Sequence, residues 1–172
     1  MIFIPDRYMR NIILILFLQF TLVPAYTQVS EDSELFQKLL EKDSLLFKEG
    51  FNKCRITEFE NFISEDLEFY HDQGGLTTNK KDFLDAVKNN ICGKPDEKPI
   101  RKLREASLEI FPLYENGKLY GAIQKGIHDF FIKEPGKELY MTSTAKFTHV
   151  WLLENEEWIL KRVLSYDHKN PE

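Results

Sequence analysis

Residues 147–163 read FTHVWLLENEEWILKRV, a pattern that is typical of two paired β-strands. Two runs rich in aromatic and β-branched residues flank an acidic turn at residues 154–157, which is the pattern of an antiparallel hairpin. The pattern extends upstream, because Asn116-Gly117 is a strong two-residue hairpin turn between further apolar runs. The sequence therefore predicts four long antiparallel strands. They cover residues 101–113, 119–132, 139–153 and 158–167.

The first half of the chain shows helical spacing instead. Apolar residues recur at intervals of three or four over residues 33–52, after Thr57 and after Thr78, which predicts three helices. A short strand at residues 67–71 lies between the second and third helices and ends at Gly74-Gly75. Helices segregated from an antiparallel sheet define an α+β domain. Because strands of this length must coil strongly, we expect three N-terminal helices packed on a strongly curved antiparallel sheet that encloses a cavity.

This order of elements resembles the nuclear transport factor 2-like cone. Residues 68–72 (EFYHD) before Gly74-Gly75 resemble the first strand and turn of its SnoaL-like and ketosteroid-isomerase-like members, and residues 147–163 resemble its final hairpin. The chain is also similar to small secreted bacterial proteins of unknown function, in the group that includes the calcium/calmodulin-kinase association domain. The resemblance implies the fold, but it does not choose an activity, because this fold hosts isomerases, dehydratases, cyclases and non-catalytic binders.

The first residues predict export. Arg7 and Arg10 precede an apolar run at residues 12–18, and Ala25 and Thr27 offer small residues at a cleavage site. We therefore expect a signal peptide at 1–27 and a single domain at 28–172, secreted or periplasmic, with no membrane association in the mature form. An uncleaved anchor is the alternative, although the run is shorter than the roughly 20 residues of a membrane span.

Cysteine count and charge bear on the compartment and the partners. Cys54 and Cys92 are the only cysteines, and in an oxidising compartment such a pair predicts a disulfide, with two reduced thiols as the alternative. The formal net charge of -5, with acids and bases interspersed, argues against a nucleic-acid partner. An apolar outer face carrying Ile123, Ile127 and Phe131 predicts a homodimer.

Alternation along the strands predicts which side chains face the cavity. His149 and Trp151 share one face of their strand, and Arg162 and Tyr166 share the face of Trp158 on the next. Histidine transfers protons near neutral pH, and arginine can hold a carboxylate in a bidentate pair. We therefore expect a small, largely apolar ligand that can carry a carboxylate, unless an acid such as Glu68 pairs with Arg162. The expected ligand-binding residues are Tyr70, His128, His149, Trp151, Arg162 and Tyr166.

Three classes of function remain open on this sequence: a ligand-binding cone, an isomerase, dehydratase or cyclase, and a structural or association module with a self-filled core. The resemblance places a carboxylate base near the end of the first strand, where Asp72 is the nearest match, although ordinary turn chemistry also explains this residue. His149 is the other candidate for the catalytic acid–base. The tyrosine that the isomerase carries on its first helix has no counterpart in residues 33–52.

No cofactor is expected, and no metal. The acid and imidazole side chains that could bind a metal lack a compact ligand spacing. They are His71, Asp72, His128 and His149.

Overall fold

The structure, a computed structural model, describes residues 27–171. The predicted signal peptide therefore lies outside the described residues except for Thr27. Within the described part of the chain, no helix is long and apolar enough to span a membrane.

Within residues 27–171, two α-helices pack against the sheet. α1 (Glu34–Asp43) begins where the Ser33 side chain accepts the Phe36 N–H at 3.2 Å, and α2 (Lys80–Ala86) is capped in the same way by Asn79. Both helices continue into wider π-type turns, here called the α1 extension (Ser44–Phe51) and the α2 extension (Val87–Cys92).

The predicted second helix is wrong. The segment after Thr57 forms only two single 3₁₀ turns, Ile56–Glu58 and Glu60–Phe62. Ile63, which the helical spacing included, already begins the first strand, so too few residues remain for a helix. The α+β class is nevertheless confirmed, with two helices in place of three.

Residues 27–171 contain seven strands: β1 (Ile63–His71), β2 (Gly75–Thr77), β3 (Lys98–Leu103), β4 (Glu109–Glu115), β5 (Lys118–Lys133), β6 (Tyr140–Glu154) and β7 (Glu157–Lys169). They form one curved, mixed sheet in the order β2-β1-β7-β6-β5-β3, with β4 also paired to β5. The sheet is not fully antiparallel as predicted, because β1 and β7 run parallel side by side. The predicted strand at residues 101–113 is two strands, both paired to β5 and separated by a break at residues 104–108.

The concave face of the sheet carries the core, and strict alternation holds along β6. Phe147, His149 and Trp151 are buried there, and the β5–β6 register places Gln124 opposite His149. The helices and the 3₁₀ turns close this face with aromatic rings. Phe62, for example, packs against Trp151 with ring centroids 5.8 Å apart.

A β-bulge in β7 reverses the alternation that the sequence predicted there. Trp151 pairs with Leu160 but Val150 pairs with Arg162, so Lys161 is an extra residue on β7. Leu160 is buried before the bulge, and Val163 is buried after it. Residues beyond the bulge therefore lie on the face opposite to the predicted one.

The predicted disulfide is confirmed. Cys54 and Cys92 are bridged, with their Cα atoms 5.8 Å apart. The bridge joins the chain just after the α1 extension to the last residue of the α2 extension, and so it ties together the two helical segments that stand over the sheet.

Candidate functional site

A cavity of about 470 Å³ lies between the two helical extensions and the concave face of the sheet. Its wall is mainly aromatic and aliphatic, and the described residues that line it include no lysine, arginine, aspartate or glutamate. Both helices adopt the wider π-type geometry where they form this wall, and π-type turns occur frequently at functional sites. The aromatic lining residues are Phe47, Phe51, Phe59, Phe69, Phe83, Phe130 and Phe147.

His149 lies deepest among the polar residues of the cavity, with no exposed surface. Its ring stacks on Phe47 with centroids 5.9 Å apart and contacts Phe147 at 4.7 Å. Its Nδ1 lies 3.1 Å from Oε1 of Gln124, whereas its Nε2 is buried without a hydrogen-bond partner. Burial first, and then the charge of Arg101, lower the pKa of His149 to about 3. The ring is therefore neutral at neutral pH.

Arg101 contacts two residues of the cavity wall, Phe47 and His128, and its charge is already paired. Its Nη1 and Nη2 donate to the two carboxylate oxygens of Asp43 at 2.7 and 2.9 Å, and both side chains are buried. The guanidinium also stacks over Phe47, 3.9 Å from the ring centroid. Burial raises the pKa of Asp43, and the adjacent guanidinium opposes that effect. No sequence pattern indicates this pair, because its members are 58 residues apart.

His128 continues the network from Arg101 into the cavity. Its Nδ1 lies 3.3 Å from Nε of Arg101, and because a guanidinium can only donate, the ring hydrogen must sit on Nε2. That nitrogen is 3.4 Å from Oγ of Ser165, which accepts the bond. Burial first, and then the Arg101 charge, lower the pKa of His128 to about 2, so this ring is also neutral.

The solvent-facing end of the cavity holds two stacked imidazoles, His71 and His168, with centroids 4.5 Å apart. His168 donates from Nδ1 to Asp72 at 2.5 Å, and its backbone N–H donates to the other oxygen of Asp72 at 3.1 Å. Nδ1 of His71 instead accepts the backbone N–H groups of Gln73 and Gly74. In their neutral forms the two rings therefore have opposite tautomers, with Nε2 an acceptor on His168 and a donor on His71.

Asp72, a candidate catalytic base on the sequence, orients His168 in the structure. Burial alone would raise the pKa of Asp72, but the hydrogen bonds from His168 hold this pKa below its usual value. Burial and the neighbouring His168 lower the pKa of His71. Potential metal-ligand atoms of these three residues lie within 4.8 Å of one another, but Asp72 and Nδ1 of His71 are already hydrogen-bonded. Sequence reasoning missed His168, because the last strand was expected to end at residue 167.

Of the six predicted ligand-binding residues, only His128 and His149 line the cavity. The prediction is wrong for Arg162, which the β7 bulge turns to the convex face, where its Nε lies 2.8 Å from Glu68. Tyr166 follows Arg162 to that face and is 38% exposed.

Tyr70 and Trp151 are also absent from the cavity wall. Tyr70 is exposed and donates to Glu68 at 2.6 Å. Trp151 is on the concave side but buried in the core beyond the cavity, where its Nε1 donates to Gln124 at 2.8 Å. It therefore supports His149 through Gln124 without forming part of the wall.

Comparisons with known proteins bear on the fold. No family model and no curated protein sequence matches the chain. A nuclear transport factor 2-like superfamily protein from Salmonella enterica serovar Typhimurium superimposes with a TM-score of 0.59 at 18% identity, covering 79% of this chain and 90% of that one. A nuclear transport factor 2-like protein of unknown function from Shewanella oneidensis gives 0.53 at 18% identity, covering 76% and 98%.

A third solved structure is a proposed calcium/calmodulin-dependent protein kinase II association domain from Xanthomonas campestris. It gives a TM-score of 0.60 at 12% identity, covering 83% of this chain and 96% of that one. At these low sequence identities, the similarity is evidence for the fold and not for a shared function.

Proposed function

The chain has the nuclear transport factor 2-like fold, and we propose that it is a secreted, cone-shaped domain that binds a small, largely apolar and uncharged ligand in its cavity. The observation that carries the proposal is the cavity of about 470 Å³, which is walled by aromatic rings and has among its lining residues His149, whose buried Nε2 lacks a hydrogen-bond partner. Apolar cavities with a few convergent polar groups are the usual form of small-molecule sites.

We propose an uncharged ligand, although the sequence led us to expect one that can carry a carboxylate. That expectation rested on Arg162, which pairs with Glu68 on the convex face. Arg101 is held by Asp43, and the deeply buried His128 and His149 are neutral. A carboxylate at the depth of these two histidines would therefore meet no unpaired positive charge from the three residues, and burying an unpaired anion is strongly unfavourable.

Secretion is supported by the order of basic, apolar and small residues at 1–27 and by the disulfide, which persists in oxidising compartments. Expression of the full chain should yield an exported protein whose N-terminal sequence begins near Gln28. A full-length product retained in the cytoplasm would contradict this part of the proposal.

The binding function can be tested by filling the cavity. Ala86 lies in α2 and lines the cavity, so Ala86→Trp should occupy part of the space. Binding of the neutral, polarity-sensitive dye Nile red, followed by its fluorescence, should weaken at least about tenfold, because the ring competes for the same apolar volume. Thr148→Trp adds the same side chain on the opposite face of the sheet and should leave binding unchanged. Equal binding by all three proteins, or none by the wild type, would contradict the proposal.

A second candidate function is acid–base catalysis, and the histidine pair His71 and His168 specifically favours it. Nε2 of His168 can accept a proton, and Asp72 would stabilise the imidazolium that forms, while Nε2–H of His71 can donate to a developing oxyanion beside it. His149 suits this role less well, because a base with a pKa of about 3 is weak at neutral pH.

Deuterium exchange at the α-carbon of 1-tetralone, followed by NMR in D₂O, tests the catalytic candidate. The wild type should accelerate exchange, and His168→Gln and Asp72→Asn should each remove about 10²-fold or more of that acceleration. Exchange no faster than in buffer would contradict the catalytic candidate for this class of carbonyl compound. A module with a self-filled core is not favoured, since the cavity is not filled by its own aromatic rings.

A further inference from the structure

We propose that Nε2 of His149 is the hydrogen-bond acceptor of a ligand subsite, and that the ligand it selects is an uncharged apolar molecule carrying one N–H or O–H donor. This inference rests on the proposed binding function and adds the chemistry by which the ligand is recognised.

The neighbours of Gln124 fix the tautomer of His149. The Trp151 indole can only donate, so the Gln124 atom that it contacts at 2.8 Å must be the carbonyl oxygen. The amide nitrogen of Gln124 donates to the backbone oxygen of Leu39 at 3.1 Å, which confirms this orientation. Nδ1 of His149 approaches the same Gln124 oxygen at 3.1 Å and must therefore carry the ring hydrogen. In the neutral ring Nε2 is consequently a bare acceptor.

The His149 ring is fully buried, and its neighbours pack against all of it except the partnerless Nε2 edge. Phe47 stacks on the ring at an interplanar angle of 15°, and Phe147 contacts it with centroids 4.7 Å apart. Gln124 occupies the Nδ1 edge. His149 nevertheless lines the cavity, and the edge opposite to Gln124 carries Nε2. Nε2 itself has no surface accessible to water, so a ligand in the cavity would reach this acceptor only when the covering side chains shift.

A buried acceptor without a partner is unfavourable, and almost all buried polar atoms in proteins have a partner. A ligand with an N–H or O–H group would satisfy Nε2. A ligand whose only polar atom is an ether or carbonyl oxygen would place one acceptor against another. The subsite should therefore distinguish molecules of the same shape by the presence of a single donor hydrogen.

Indole and benzofuran provide this comparison, because they have the same shape and differ by the N–H donor. Isothermal titration calorimetry on the wild-type protein should show indole binding about tenfold more tightly, which corresponds to one buried hydrogen bond. In His149→Phe, which keeps an aromatic ring between Phe47 and Phe147, the two probes should bind within about twofold of each other. Thr148→Trp, changed on the opposite face, should keep the wild-type preference.

The outcomes separate this inference from the function on which it rests. Equal binding of indole and benzofuran to the wild type would overturn the subsite but not the apolar binding function. Binding of neither probe would overturn both. A long-range ¹H–¹⁵N spectrum of histidine-labelled protein tests the tautomer directly and needs no stable variant. A protonated Nε2 on His149 would overturn the subsite, and a protonated Nδ1 with an unprotonated Nε2 would support it.

Discussion

Two buried histidines, His128 and His149, remain neutral in the fold for the same physical reason. Each is deeply buried, and the guanidinium of Arg101 adds a repulsive charge. Their partners were not visible in the sequence, because the network joins α1, β3, β5 and β6. Alternation correctly placed both histidines on the concave face. It could not reveal that Asp43 already neutralises the arginine beside them.

Because their pKa values are lowered, these histidines should make the stability of the fold depend on pH. Below the ordinary pKa of about 6.5, the unfolded chain binds protons that the folded chain rejects, so the free energy of unfolding falls as the pH is lowered toward the folded values. Each histidine can lower the free energy of unfolding by up to about 1.4 kcal/mol for each pH unit of acidification. The free energy of unfolding can be measured with urea between about pH 6 and 5, a range in which most carboxylates remain ionised.

The His149→Phe variant tests whether His149 is neutral in the folded protein. It should reduce the dependence of the unfolding free energy on pH by an amount that corresponds to up to about one proton. Comparing slopes removes any effect of the substitution on stability at neutral pH. The same slope in the variant and the wild type would show that His149 is protonated in the folded protein.

Among the elements of the fold, β6 and β7 show where sequence alternation predicts the buried face of a strand and where it does not. Alternation gave the buried face of β6 correctly, because that strand keeps its inward phase from Ala145 to Trp151. It failed on β7 at the bulge, where Lys161 is inserted opposite β6. Neither Lys161 nor Arg162 is a glycine or proline, so no local residue type marked the bulge. Arg162 and Tyr166 were misplaced for this one reason.

The ion pair between Arg101 in β3 and Asp43 in α1 should contribute strongly to the packing of the helix on the sheet. Arg101→Met leaves the buried Asp43 carboxylate unpaired and should lower the free energy of unfolding by about 3–5 kcal/mol. Arg104→Met removes a more exposed pair with Asp129 and should change stability by about 1 kcal/mol or less. The double variant Arg101→Met/Asp43→Leu should recover much of the loss. Equal effects of the two arginine substitutions in chemical denaturation would contradict this account.

The disulfide should stabilise the two helical extensions against separation. The bridged residues are 38 positions apart, and a loop of that length corresponds to about 4 kcal/mol of chain entropy. Cys54→Ser, Cys92→Ser and the double variant should all lose about the same stability in urea unfolding, because each removes the same bond. A double variant much less stable than either single variant would show that the thiols act separately.

At the scale of the whole molecule, the convex face of the sheet remains partly exposed, and the homodimer through this face stays a prediction. Ile123, Ile127 and Phe131 are each only partly buried in the isolated chain. Light scattering at micromolar concentration should give twice the monomer mass, and Ile127→Lys should shift the protein to monomer by placing a charge in the interface. Leu76→Lys, which alters a residue that is 56% exposed in β2, should not. A monomeric wild type would contradict the prediction.

The deep part of the cavity should accept uncharged ligands, because His128 and His149 are neutral and the charge of Arg101 is paired with Asp43. Calorimetric titration of wild-type protein with indole and with indole-2-carboxylate tests this most directly, since the two share a ring system and an N–H donor and differ in charge. We predict that indole binds at least about tenfold more tightly, and that Arg162→Ala changes neither affinity. Tighter binding of the carboxylate, weakened by Arg162→Ala, would contradict the claim.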